Sequence, residues 1–192
     1  MKHWLLTLAL MTPGLSLAAD WVIQNQDSRV SFITIKQGNI AEVSRFTKVS
    51  GALSSEGKFS LTIPLTGVQT GIDIRNERMQ SMLFEVGKFP ELELNADVDM
   101  AAINSIKAGQ QAIVQVSAKV ALHGKSQPMT FDVMVARLNN NTLTVSSFQP
   151  IVVNAGQFAL SAGVEKLRQV AGLKAISEAV PVSFVITLSS KT

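Results

Sequence analysis

The chain has 192 residues, 46% of them hydrophobic and only 16% charged, with a formal charge of +3. That charged fraction is well below the roughly 25% of an average soluble domain, and so small a basic excess argues against nucleic acid as a partner. The chain holds no Cys, no Tyr and 2 His, which excludes disulfides, thiol nucleophiles, iron–sulfur clusters and cysteine zinc sites.

The first segment reads as a leader. Met1-Lys2-His3 is a short positive start, Trp4 to Leu17 is largely apolar, and Ser16-Leu17-Ala18 has the small-x-small form of a cleavage site. A membrane anchor fits less well, because the run falls short of the roughly 20 residues of a span and Pro13-Gly14 interrupts it. The expectation is a signal peptide over 1–18 and one domain over 19–192. Removing the leader takes away Lys2 and His3, leaving 16 basic against 14 acidic side chains and His123 as the one imidazole. A secreted chain without Cys needs a core large enough to stand alone. The leader and the fold together point to a bacterial periplasm.

Along the rest of the chain the dominant period is two. Segments 28–35, 40–53 and 58–66 alternate apolar with polar residues, as in Phe59, Leu61, Ile63 and Leu65 against Ser60, Thr62 and Thr66. The spacing of Ile74, Met79, Met82 and Leu83 predicts a helix over 73–83, with Asp73 placed to cap it. Leu92, Leu94, Ala96 and Val98 then alternate with Glu91, Glu93, Asn95, Asp97 and Asp99 in a strand over 91–99. Segments 111–123, 127–138 and 142–153 follow as consecutive hairpins, with turn signals at His123-Gly124-Lys125 and Asn139-Asn140-Asn141. Val164, Leu167, Val170 and Ala171 predict a second helix over 161–171, ended by Gly172. The last strand covers 180–189. Eight strands and two short helices suggest an all-β fold: one closed or nearly closed antiparallel barrel, since closure removes the exposed edges of so large a sheet.

Candidates for chemistry are few. His123, on the polar parity of its strand beside Gly124, is either a general base or a surface histidine next to a turn. Glu91, Glu93, Asp97 and Asp99 form an acidic row that either does acid–base or calcium chemistry or, as period two suggests, is the solvated face. Asn140-Asn141-Thr142 matches a glycosylation sequon but reads as a turn. No phosphate loop, dinucleotide fingerprint, nucleophile elbow or HExxH occurs. The 9 Phe and the Met residues suit either a packed core or a lining for a flexible apolar ligand, because an eight-stranded barrel is wide enough for side chains or for one small ligand.

Several segments, in order, resemble the YceI-like, polyisoprenoid-binding family. They are Trp21-Val22-Ile23 with Asp27 to Phe32, Gly51-Ala52-Leu53, Phe59 to Leu65, Gly71 to Met79, Leu83 to Val86, Lys88 to Leu92, Leu122-His123-Gly124 through Pro128-Met129, and Val182 to Ile186. The chain has Asp27 where the family usually has His, and Arg75-Asn76-Glu77-Arg78-Met79 at the family's "RD…HL" run. The resemblance implies a lipocalin-like eight-stranded barrel whose apolar interior holds an isoprenoid chain, such as a quinone or polyprenyl tail. It implies a binding protein and not an enzyme, with no cofactor or metal beyond that ligand.

On this basis Phe32, Phe46, Phe131 and Phe184 are expected to line the interior, and Met79, Met82, Leu83, Phe84 and Phe89 to shape its mouth. Arg75 and Arg78 either meet a polar or anionic headgroup or are solvated helix residues. Expected partners are an amphiphilic lipid and a transient contact with a membrane or membrane protein; the sequence leaves the oligomeric state open, with a dimer as one option. Two other readings stand beside this one: a structural or stress-related interaction module with a filled barrel, and an enzyme pairing His123 with a nearby carboxylate.

Overall fold

A computed structural model describes residues 21–190; the expected leader over 1–18 lies outside the described residues. The elements run β1 (Trp21–Ile23), β2 (Arg29–Lys36), β3 (Ile40–Phe46), β4 (Ser50–Leu53), β5 (Lys58–Pro64), β6 (Val68–Gln69), α1 (Asp73–Arg78), β7 (Glu91–Asp97), α2 (Met100–Ser105), β8 (Gln110–Leu122), β9 (Lys125–Asn139), β10 (Thr142–Ser147), β11 (Ile151–Asn154), α3 (Ser161–Val170) and β12 (Ala179–Ser190).

Two of the expected strands, 40–53 and 142–153, are bent rather than straight, and β1 adds a short strand ahead of the expected 28–35. A 3-10 turn at Asn25–Asp27 separates β1 from β2, a corner at 47–49 splits the 40–53 segment into β3 and β4, and one at 148–150 splits 142–153 into β10 and β11. Each bent pair acts as one stave, so the strands make eight staves that follow one another in sequence and close where β1 meets β12. The closing strand β12 serves both halves of its bent neighbours. Its C-terminal half pairs β10 and β1, with Leu188 opposite both Leu143 and Ile23. Its N-terminal half pairs β11 and β2, with Val182 opposite both Ile151 and Phe32. The result is a closed eight-strand antiparallel barrel with short helices.

The alternation holds the register as expected. Ala118, Val120 and Leu122 of β8 are buried, while Gln115, Ser117 and Lys119 are exposed. A slip of one residue would turn these apolar side chains outward. β8 and β9 meet at a two-residue turn in which His123 (φ 50°) and Gly124 (φ 72°) both have positive φ, the backbone pattern whose twist matches that of a hairpin.

The helices differ from expectation in three places. α1 ends at Arg78 and passes into a π-helical turn over Met79–Leu83, where the Phe84 amide donates to the Met79 carbonyl at 2.9 Å. Asp73 does not cap α1: Ile72 holds the cap position and no side chain bonds the first-turn amides. A third helix, α2, follows β7 where no helix was expected. Its signal was Asp99, read as part of the acidic row, whose carboxylate accepts from the amides of Ala101 (2.9 Å) and Ala102 (3.4 Å). α3 ends as expected at Gly172 (φ 64°), with the Leu173 amide reaching back to the Arg168 carbonyl at 3.0 Å.

α3 packs on the π-helical turn through Gly163. A Cβ there would lie 2.8 Å from Leu83 Cα and from the Met82 carbonyl oxygen, so only glycine allows this close approach. Two buried clusters result. One fills the barrel wall around Trp21, Leu53, Ile63, Val133, Leu143 and Leu188. The other lies beneath α1 and α3 around Leu65, Met79, Phe84, Phe158 and Leu160.

Candidate functional site

The barrel is hollow. It encloses a cavity of about 600 Å³, within the roughly 300–1,000 Å³ of small-molecule sites. The deep walls are aliphatic and aromatic: Leu61, Val116, Phe131, Val133, Leu143 and Ile186 come from five different strands, each on the inward parity of its strand. This departs from the filled-barrel reading, which needs a solid interior.

One end is shut. Ile103 of α2 and Val98 close the cavity floor, and Ile103 and Ile106 are 4% and 5% exposed. Arg137 of β9 holds this plug: its Nε donates to the Ile106 carbonyl at 2.7 Å and its Nη2 to the Ile103 carbonyl at 3.1 Å. Its guanidinium also lies 5.6 Å from the Trp21 ring centre. The Ile103 carbonyl also accepts from the Ile106 amide at 3.3 Å, and Arg137 adds a donor to it and to the Ile106 carbonyl just past the helix end.

The other end is the mouth. Among the described residues that line the cavity, only Ile72, Ile74, Val170 and Ala171 are exposed, and they all lie where the start of α1 faces the end of α3. The charged lining residues sit beside them: Lys36, Glu42, Arg75 and Arg78. Glu42 is shared by Lys36 Nζ and by Arg75 Nη1, the latter at 2.5 Å. The Lys36 hydrogen bond, helped by the Arg75 charge against some desolvation, holds the Glu42 carboxyl below its ordinary range. Arg78 has no hydrogen-bond partner among the described residues. The mouth therefore carries three cations to one carboxylate.

Most of the residues expected from the sequence meet at this cavity. Phe32, Phe46, Met79, Leu83, Phe84, Phe131 and Phe184 line it, as do Arg75 and Arg78. Met79, Leu83 and Phe84 lie buried in its wall and not at the rim they were expected to shape, because the π-helical turn points them into the core. Phe46 links two of them, with ring centres 5.4 Å from Phe32 and 6.1 Å from Phe84. Two expected residues do not line it. Met82 is half-buried on the π-helical turn that sends Met79 and Leu83 inward, with its carbonyl against Gly163. Phe89 packs instead on His123, ring centres 4.5 Å apart, in a separate recess at the β8–β9 turn. The sequence reading missed Lys36, Glu42, Ile72 and Val170. Lys36 and Glu42 lie on the inward parity of β2 and β3, which was the available signal.

His123 is not a surface residue: its side chain is 12% exposed. Its Nε2 is 3.1 Å from Glu85 Oε2, and its Nδ1 is buried without a partner. The Lys88 hydrogen bond first, then that of His123, hold the Glu85 carboxyl below its usual range. The pair ties the loop after the π-helical turn to the hairpin, outside the cavity. The acidic row is solvated: Glu91, Glu93 and Asp97 are exposed, Asp97 pairs with Lys58 at 2.5 Å, and Asp99 is the α2 cap.

A family model described as the YceI-like domain matches residues 21–188. The chain belongs to the YceI-like family. A polyisoprenoid-binding domain from Saccharophagus degradans, implicated in plant cell wall breakdown, is 34% identical to it, with a TM-score of 0.88 over 90% of this chain and 99% of that one. BcnA of Burkholderia cenocepacia is 19% identical, with a TM-score of 0.67 over 86% of this chain and 98% of its own. The YceI protein of Campylobacter jejuni is 14% identical, with a TM-score of 0.59 and full coverage of both chains. At those two lower identities the likeness shows the fold alone. No curated protein matches the chain.

Proposed function

We propose that this YceI-like chain is a periplasmic lipid-binding protein. It holds an isoprenoid lipid of quinone or polyprenyl type, or a similar amphiphile, for transport or storage, without covalent chemistry. The observation that carries this reading is the cavity of about 600 Å³, apolar at depth and charged only at its mouth. That polarity gradient matches an amphiphile whose tail enters first and whose headgroup stays near Arg75 and Arg78. The relative from Saccharophagus degradans, described as polyisoprenoid-binding, supports the same ligand class.

The driving force is the burial of the tail. Each methylene removed from water contributes about 0.8 kcal/mol, so a long tail is strongly excluded from an aqueous compartment. The barrel offers it Phe32, Phe131 and Phe184 together with branched aliphatic side chains. Thr34, Ser44, Thr70 and Ser177 are the neutral polar residues lining the cavity.

Native mass spectrometry of the gently purified protein, followed by lipid extraction, tests this. A co-purifying isoprenoid or comparable amphiphile is the expected result. An empty protein that also takes up neither quinones nor fatty amphiphiles overturns it. Finding the full-length chain, still carrying residues 1–18, in the cytoplasmic fraction would overturn the periplasmic part alone.

A further inference from the structure

The mouth has a feature that ligand binding alone does not require. Ile72, Ile74 and Val170 are 45%, 52% and 44% exposed while also lining the cavity. Ile40, at the start of β3, is a further exposed aliphatic residue at 50%, and it pairs with the mouth residue Lys36. Apolar cavity surface thus continues at the mouth over the α1 and α3 ends to the outside, beside the charged group of Lys36, Glu42, Arg75 and Arg78. Side chains as apolar as these lose stabilisation in water and regain it only against another apolar phase. Lys36, Arg75 and Arg78 against Glu42 leave an excess of two positive charges directly inside this rim.

We propose that the mouth is a docking collar for the surface of an anionic lipid bilayer. Ile72, Ile74 and Val170 enter the headgroup–acyl boundary while the cations of the mouth face lipid phosphates. This rests on the lipid-binding reading and names the partner from which the cavity is filled. The physical reason is that a tail passing directly from bilayer to cavity never crosses water. The exposed acids of α1, Asp73 and Glu77, equal that excess in number, so apolar insertion leads and the mouth cations contribute only through their position inside the rim.

Flotation of the purified chain with vesicles tests the collar without reference to any bound ligand. The vesicles are phosphatidylcholine alone, or phosphatidylcholine and phosphatidylglycerol in equal parts. The chain is expected to float with the mixed vesicles and less with the neutral ones. The double variant Ile74→Glu/Val170→Glu is expected to partition about tenfold less. Leu138→Glu, an equally exposed aliphatic residue (57%) near the β9–β10 turn, is expected to float like the parent. Thermal unfolding of each variant reports whether it is folded. If a folded double variant floats like the parent, or the parent ignores both vesicle types, the collar is overturned. So it is if Leu138→Glu abolishes flotation equally, or if the double variant instead dissociates a dimer seen by sedimentation. A chain that floats but yields no extractable lipid keeps the collar and fails the lipid-carrier reading; the converse does the reverse.

Discussion

The two ends of the barrel are built on opposite principles. At the closed end two charged side chains hold a plug: Asp99 caps α2 at its start, and Arg137 donates to carbonyls at its finish while lying over Trp21. At the mouth, α1 buries none of its residues and has no side-chain cap, and aliphatic side chains stand in solvent beside unevenly paired charges. The contrast teaches that the same short helix serves as a structural lid or as a surface, depending on whether its termini are satisfied from the barrel wall. The end with satisfied termini is expected to carry stability, and the other end to carry exchange with the surroundings.

The largest expected effect comes from truncating matched isoleucines at the two ends. Ile103→Ala should lower unfolding stability by about 2–5 kcal/mol, toward the low end because the residue already faces an opening. Ile74→Ala should stay within about 0.5 kcal/mol. Urea unfolding compares them, and equal losses would abolish the distinction between the ends.

Arg137→Met comes next. It keeps an apolar stem near Trp21 but takes the side-chain donor from the Ile106 carbonyl and leaves the Ile103 carbonyl with the Ile106 amide alone, for a loss of about 1–3 kcal/mol in the same measurement. A neutral result would mean that water takes over the role of the guanidinium.

The caps give a smaller contrast. Asp99→Ala removes a bonded cap and should cost about 1 kcal/mol. Asp73→Ala removes only a charge near a helix start, worth about 0.3–1 kcal/mol and reduced by salt. Repeating the melts in high salt separates the two, since only the Asp73 effect should fade.

The smallest effect is a pH dependence at the mouth. Glu42 has a lowered folded pKa, so its contribution is complete above its ordinary value near 4.5 and is lost as the pH falls through the lowered one. With 35% of the side chain exposed, the contribution should stay below about 1 kcal/mol. The stability gap between the parent and Glu42→Gln should therefore be present at neutral pH and close in acid. A gap that widens on acidification would contradict the pairing with Lys36 and Arg75.

Much of the fold was legible in particular residues. Leu92, Leu94 and Ala96 against Glu91, Glu93 and Asn95 determine which face of β7 looks inward, because period two and the hydrophobic effect act over a few residues. The Phe residues on inward parities were legible for the same reason. The corners at 47–49 and 148–150 were not, since they depend on which neighbour each half of a stave must meet. Nor was α2: six residues are too short to show a helical period. Met82 and Phe89 were misplaced because helical spacing was extended through a π-helical turn, and because the partner of Phe89, His123, lies on the β8–β9 turn, far along the chain.

The sequence by itself determined the all-β class, the inward face of each strand and the likeness to the YceI-like family, all of which rest on local alternation and local motifs. The tertiary structure alone decided that the barrel is hollow, which end is shut, and that Lys36, Glu42 and Arg75 share one mouth. Those properties depend on distances between staves far apart in the chain, set only when β12 closes against β1. Closure sets the width of the interior, and local patterning carries no information about width.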